Sequence, residues 1–359
     1  MNKVMSKYLS RKIKFISVFA MFAIVFVNAY NYEKPLTPVS TIESGFNFFQ
    51  MTEYFFSNGL FTFAVPLFFI ISGFLFFLKY ENTVKGYFNK LIKRCYPLLV
   101  PYVAWAIISG AAILILNNFG KFRFITFFKE NLVPLDRCFI YLIKPPAFQL
   151  WFLRQLMLFA VLSPIIYLLV KYTKSLILIP FGILWICDVN FIISSQGLFF
   201  FSIGAAFAIF GKARNVTRRD NTPLAICFCT AWLLLSFSLT MLAAGKSNLW
   251  ILMQIVYKLN EAVGVVGIWF MFDHIVKLIT HKKGMLLASS HLFFVFALHE
   301  PLLHISNQMA LIPDNSHSSH LILYICLPIS VISVCIIISM MMRKVLRPLH
   351  SVLTGGRNN

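Results

Sequence analysis

Apolar runs broken by short polar clusters recur along the whole chain, near residues 14–31, 60–79, 96–117, 149–170, 174–190, 196–211, 223–244, 249–272, 286–305 and 320–342. A hydrocarbon layer of about 30 Å takes about 20 residues of α-helix, so most of these runs are long enough to cross it. The pattern predicts an all-α, polytopic integral membrane protein with about ten transmembrane helices. Pro66, Gly73, Pro101 and Pro164 lie inside the runs. Spanning helices tolerate such residues because neighbouring helices satisfy the freed backbone groups. The 174–211 stretch is the weakest, since Asp188, Ser194, Ser195 and Gln196 leave two short spans. No internal repeat, long linker or low-complexity segment interrupts the series, so residues 1–359 read as a single transmembrane domain.

The polar clusters carry the orientation. With residue 1 in the cytoplasm, 23 of the 32 Lys and Arg residues fall in inside segments and seven outside, while Arg154 and Lys258 lie within spans. That asymmetry puts both termini in the cytoplasm and makes the chain a multi-pass protein of the inner (plasma) membrane. Residues 1–14 are basic and 15–27 apolar, with Val27-Asn28-Ala29 faintly like a cleavage site. The basic stretch serves as a cytoplasmic anchor, so the segment reads as an uncleaved first span. The outer segment 118–148 runs against the trend with five basic and two acidic residues. Phe122, Phe124, Phe127 and Phe128 fit either an amphipathic surface helix or a plain loop there.

Composition changes the picture little. The chain is 59% hydrophobic and 12% charged, with a mean hydropathy of +0.79. A soluble domain would carry about twice that charged fraction. A net charge of +20 is also a footprint of phosphate binding. Here the basic residues come in bursts between apolar runs, which is membrane topology, and no nucleic-acid partner is expected. The seven cysteines show no CxxC pair and no Cys/His ligand spacing, so they read as small buried hydrophobes, with neither disulfide nor metal site.

Ionisable groups inside spans cost about 2.5–3.5 kcal/mol each, so each needs a reason. Arg154, in Leu150-Trp151-Phe152-Leu153-Arg154, either snorkels to the outer interface or offers a fixed cation to an anion or developing oxyanion. Lys258 and Glu261 share one helical face, where a mutual ion pair is the bland reading. His299 and Glu300 are adjacent near the outer end of the ninth span and point about 100° apart, so they do not act as one unit. His304 reads as an interface residue, and Asn28 by composition alone as a helix-packing one. Asn28, Arg154, His299 and Glu300 all fall toward the outer leaflet and can line one outward cavity. Arg11 and the basic segment 79–94 face inward and suit an anionic cytoplasmic ligand. On these grounds a transporter and a transmembrane transferase fit equally well.

Five segments carry a resemblance. They are 64–74 (AVPLFFIISGF); Lys90-Leu91-Ile92-Lys93-Arg94 with Pro101, Tyr102 and Trp105; Leu150 to Arg154 with Ser163-Pro164; Phe200 to Ala205; and Ser290 to Phe294 through His299-Glu300-Pro301. In this order they resemble the acyltransferase-3 family of bacterial membrane O-acyltransferases, in its short form without an appended extracytoplasmic domain. The resemblance implies transfer of an acyl group, commonly acetyl from cytoplasmic acetyl-CoA, to a hydroxyl of an extracytoplasmic polysaccharide or glycolipid. It implies that Lys93, Arg94 and Arg11 attract the phosphates of the acyl-CoA. It also implies a His base near the end of the first span, where this chain has Asn28, and an Arg roughly where Ser17 stands. An amide takes no proton near neutral pH, and losing a general base costs about 10²–10⁴-fold. Three possibilities stay open. Another group such as His299 or Glu261 supplies the base, Asn28 positions the nucleophile in a slower enzyme, or the protein is an inactive relative that binds a glycan or lipid carrier.

Overall fold

The computed structural model describes residues 5–30, 48–78, 80, 83–118, 147–211, 221–245, 249–279, 283–309 and 317–356. Among them there is helix and no strand. Helix α1 (Lys7–Ala29) starts where Ser6 accepts a hydrogen bond from the Leu9 N–H at 3.1 Å. Helix α2 (Phe48–Tyr54) continues through a π-helical turn (Phe55–Gly59) and a 3₁₀ turn (Leu60–Phe63) into α3 (Ala64–Phe77). Helix α4 (Val84–Asn118) contains Pro97 and Pro101. Helices α5 (Leu150–Val161) and α6 (Ser163–Tyr172) meet at a bend of 64°, with Pro164 opening the second. Two short helices follow, α7 (Leu178–Ile186) and α8 (Ser195–Phe210), the latter capped by Ser194. Then come α9 (Thr222–Ala244), α10 (Trp250–Ile279), α11 (Lys283–Met309), α12 (His317–Val345) and the short α13 (Arg347–Thr354).

Among the described residues, seven helical stretches are long and apolar enough to cross a membrane, or eight where the bent α5–α6 pair is counted as one span. The expected short pair is present as α7 and α8. The second span starts at Phe48 rather than near residue 60. Gln50, Thr52, Glu53, Ser57 and Asn58 hide that start from a hydropathy reading; Thr52 turns its hydroxyl to the Phe48 carbonyl of its own helix, and neighbouring helices take up Ser57. Ser57 donates to the Phe26 carbonyl at 3.2 Å and lies 2.6 Å from the Tyr324 hydroxyl. The cysteines also differ from expectation. Cys187, Cys227 and Cys326 are exposed on the apolar outer surface, and among the described cysteines only Cys335 is fully buried. Segment 119–146, with its possible surface helix, lies outside the described residues.

Helix ends meet in a strict alternation. Tyr8 and Lys12 at the start of α1 both reach Asp273 near the end of α10, each at 2.5 Å. Arg94 at the start of α4 donates to the Leu75 carbonyl near the end of α3 at 3.2 Å. Ser339, late in α12, sits 2.8 Å from His291 Nδ1 on α11 and 3.0 Å from His350 Nε2 on α13. We call this the basic end, since Arg11, Lys93, Arg343 and Arg347 stand there. At the far end Asn28 meets His299, Ser57 meets Tyr324, and Lys258 meets Asp188. The start of α1 and helix α13 therefore share the basic end.

Helices α3 and α8 approach each other closely enough for their backbones to touch. A Cβ on Gly73 would lie 2.1 Å from the Phe201 carbonyl oxygen, and one on Gly204 would lie 2.1 Å from that of Ile70. Small residues at a crossing let two backbones touch, which is how helices associate where no hydrophobic force separates protein from lipid. Around this contact Phe69, Phe159 and Phe201 pack without solvent exposure worth counting, Phe159 stacking on Phe201 at 4.9 Å. Large apolar side chains such as Ile165, Phe207, Leu234 and Ile337 cover the outside. That inversion of the soluble pattern is what a lipid-facing surface requires.

Candidate functional site

A cavity of about 570 Å³ lies inside the bundle, within the size range of small-molecule sites. Along α1 its wall runs from Ser17 to Asn28, roughly 16 Å of helix at 1.5 Å per residue. On α11 it runs from Ser289 near the basic end to Phe296. The cavity therefore extends from the middle of α1 to its far end, and of the four residues expected to line an outward cavity only Asn28 is on its wall. Its middle is apolar, with Phe68, Phe152, Phe293 and Phe296, and its far end is polar, with Asn28, Gln149, Gln196, Tyr257 and Glu261.

The break between α2 and α3 shapes one wall. The π-to-3₁₀ transition presents Ser57, Asn58 and Thr62 to the cavity. Asn260 on α10 holds it, donating to the Gly59 carbonyl at 2.7 Å and to Thr62 Oγ1 at 3.2 Å, while Ser236 donates to its Oδ1 at 3.0 Å. A backbone freed from the helical ladder is tolerated at membrane depth where side chains take it over. Asn260 is a fully polar amide inside a span, and that is the one signal of its role in the sequence.

At the far end of α1, Asn28 Nδ2 lies 2.9 Å from His299 Nε2. The other ring nitrogen, Nδ1, lies 3.0 Å from the Val295 carbonyl and 2.9 Å from that of Phe296. Carbonyl oxygens only accept, so the proton sits on Nδ1 and the Nε2 lone pair points at the Asn28 amide, which donates to it. His299 has no exposed surface and stands directly behind Asn28, which lines the cavity. Gln149 ties α11 to the start of α5 by donating to the Ala297 carbonyl at 2.7 Å.

Glu261 also lines the cavity and is buried. Gln196 Nε2 donates to its Oε1 at 2.7 Å. The expected ion pair with Lys258 is not formed. The Lys258 ammonium turns to Asp188 Oδ1 at 2.7 Å, beyond the end of α7, and lies over the Trp185 ring. The reason is geometric: the left-handed backbone of Asp188 (φ 52°) ends α7 beside α10 and offers an oxygen close to water. Arg154 is half-buried on α5 and Glu300 is buried on α11; neither is part of the cavity wall. Arg11, Lys93 and Arg94 are exposed at the basic end.

A model of the family described as "Acyltransferase domain" (Acyl_transf_3) matches residues 12–340. The chain is similar to the succinoglycan biosynthesis protein ExoH of Rhizobium meliloti (strain 1021), with 26% identity over 369 residues, 98% of this chain and 94% of that protein. No solved structure matches it.

Proposed function

The chain belongs to the acyltransferase-3 family, and from that premise we propose that it is an O-acyltransferase moving acetyl from cytoplasmic acetyl-CoA to a hydroxyl of an extracytoplasmic polysaccharide or glycolipid. The polysaccharide acceptor is supported by the name of the related succinoglycan biosynthesis protein. The orientation is supported by the excess of basic residues in the segments assigned to the cytoplasm. Arg11, Lys93 and Arg94 at the basic end suit the phosphates of the donor. One observation carries the proposal: Asn28, on the wall of the internal cavity, is hydrogen-bonded to the buried imidazole of His299 directly behind it.

In this reading His299 is the base that the first span lacks. The acceptor hydroxyl displaces the Asn28 amide from Nε2 and gives its proton to that nitrogen. Its oxygen attacks the thioester carbonyl, the C–S bond breaks as the C–O ester bond forms, and His299 returns the proton to the departing thiolate. Asn28 then holds the hydroxyl oxygen through its amide N–H groups, and Arg154 supports the polar end through the fifth helix. A second reading, an inactive relative that binds a glycan or lipid carrier, draws on the closure of His299 Nε2 by Asn28.

Inverted membrane vesicles supplied with radiolabelled acetyl-CoA separate the two. Alkali-labile label on the enclosed glycan, absent in a deletion strain, is the expected result. No label from acetyl-CoA or any other short acyl-CoA, together with label gained on Asn28→His, would establish the lapsed enzyme instead.

A further inference from the structure

We propose that Glu261, Gln196 and Tyr257 form an acceptor-selecting subsite, which holds a sugar hydroxyl neighbouring the one that is acylated. The inference rests on the acyltransfer reading for the identity of the ligand, and on the geometry for the site. Glu261 is 1% exposed in the middle of a spanning helix, a position that demands compensation. No ion pair supplies it, because Lys258 is committed to Asp188. Internal hydrogen bonding supplies half of it. Gln196 serves Oε1, while Oε2 is buried without a hydrogen bond of ordinary geometry among the described residues, the Tyr257 phenol and the Trp185 indole interacting with the carboxyl only loosely. Buried polar atoms are paired in nearly all structures, so an unfilled acceptor on a cavity wall marks the place of a ligand that donates.

The surrounding groups define that ligand. The Gln196 amide has two N–H bonds and spends one on Glu261, leaving the second for an incoming oxygen. Tyr257 brings a phenol to the same wall. A carboxyl oxygen that accepts, set beside an amide and a phenol that donate, complements a hydroxyl, which gives one hydrogen bond and takes others. Trp151 and Phe152 stand on the same cavity, flat apolar surfaces of the kind that cover the C–H face of a pyranose ring. The position agrees with an acceptor rather than a donor: Gln196 opens α8 and Tyr257 and Glu261 lie in the first half of α10, at the same end as Asn28. The nucleotide of an acyl-CoA belongs at the other end, among the cations.

The test is direct binding, without turnover. The probe is a set of oligosaccharides cut from the host's own surface polysaccharide and stripped of esters by mild alkali, titrated into the full-length protein in detergent. Glu261→Gln keeps the shape and alters the hydrogen-bonding character. It is expected to weaken saccharide binding about twofold to tenfold, the range for losing one buried hydrogen bond. Tyr257→Phe keeps the ring and is expected to weaken it severalfold, with acetyl-CoA affinity unchanged in both variants. Equal saccharide affinity in wild type and Glu261→Gln, or saccharide bound by neither, overturns the subsite. A wild type that binds saccharide through Glu261 yet transfers no label sinks the acyltransfer reading and leaves the subsite standing.

Discussion

Asn28 donates its side-chain amide to His299 Nε2 across 2.9 Å, and the ring's other nitrogen is fixed by two backbone carbonyls of its own helix. The tautomer is thus set by α11 and the position of the lone pair by α1. If His299 is the base, His299→Ala lowers kcat by about 10²–10⁴-fold, the usual worth of a general base. Asn28→Asp is expected to be nearly as damaging. A carboxylate there draws a proton onto Nε2 and removes the lone pair. Initial rates of acetyl transfer in vesicles check both, and a His299→Ala enzyme at wild-type speed refutes the assignment.

The backbone contact between α3 and α8 makes Gly73 and Gly204 intolerant of any side chain. A methyl group at either meets a carbonyl oxygen rather than a flexible side chain, so the helices must move apart. Each alanine variant is expected to lose about 1–3 kcal/mol, as over-packed cores do. Thermal unfolding in detergent reads this as a lower Tm, and an unchanged Tm would mean the helices are not in contact as described.

Lys12 and Tyr8 both reach Asp273, and the Lys12 ammonium lies 4.0 Å above the Trp269 ring. Breaking such a buried pair from one side strands a charge. Lys12→Met alone is expected to cost about 3–5 kcal/mol, whereas Lys12→Met with Asp273→Leu recovers most of it. A double-mutant cycle on protein yield and Tm measures the difference.

Helix α13 is held at the basic end by His350, whose ring stacks on Phe294 and contacts Ser339, with His291 on the other side of that hydroxyl. Burial first, and the nearby Arg343 second, hold the His350 imidazole below its ordinary value of 6.5. The undocked helix therefore binds protons more readily than the docked one. Docking is undiminished above about pH 6.5 and weakens as the pH falls below it. Hydrogen exchange across 347–354 should quicken on acidification, and His350→Gln should flatten that response.

Much of this architecture was readable in the chain. Runs of Phe, Leu and Ile report spans because lipid and hydrocarbon side chains are interchangeable solvents, and the Lys and Arg bursts report their ends. What hydropathy hides is polarity satisfied by a neighbour. Residues 48–59 look like a loop until Ser57 is seen against Phe26 and Tyr324. Lys258 and Glu261 look like partners until the turn at Asp188 captures the ammonium. The site was half legible. Asn28 was marked only by the family resemblance and His299 by its cost in a span, yet their meeting depends on how α1 and α11 are rotated, which no spacing within one helix reveals. Gln196, Tyr257 and Asn260 were passed over because a neutral amide or phenol carries little penalty in a transfer scale.

The phenylalanine-walled middle of the cavity bears on what turnover does to the cell. Phe68, Phe152, Phe293 and Phe296 offer nothing to an ion that has shed its water, while a small neutral ester fragment loses little there. Protons and sodium find no ligand along such a wall, so a cavity of this kind inside the bundle leaves the membrane voltage intact.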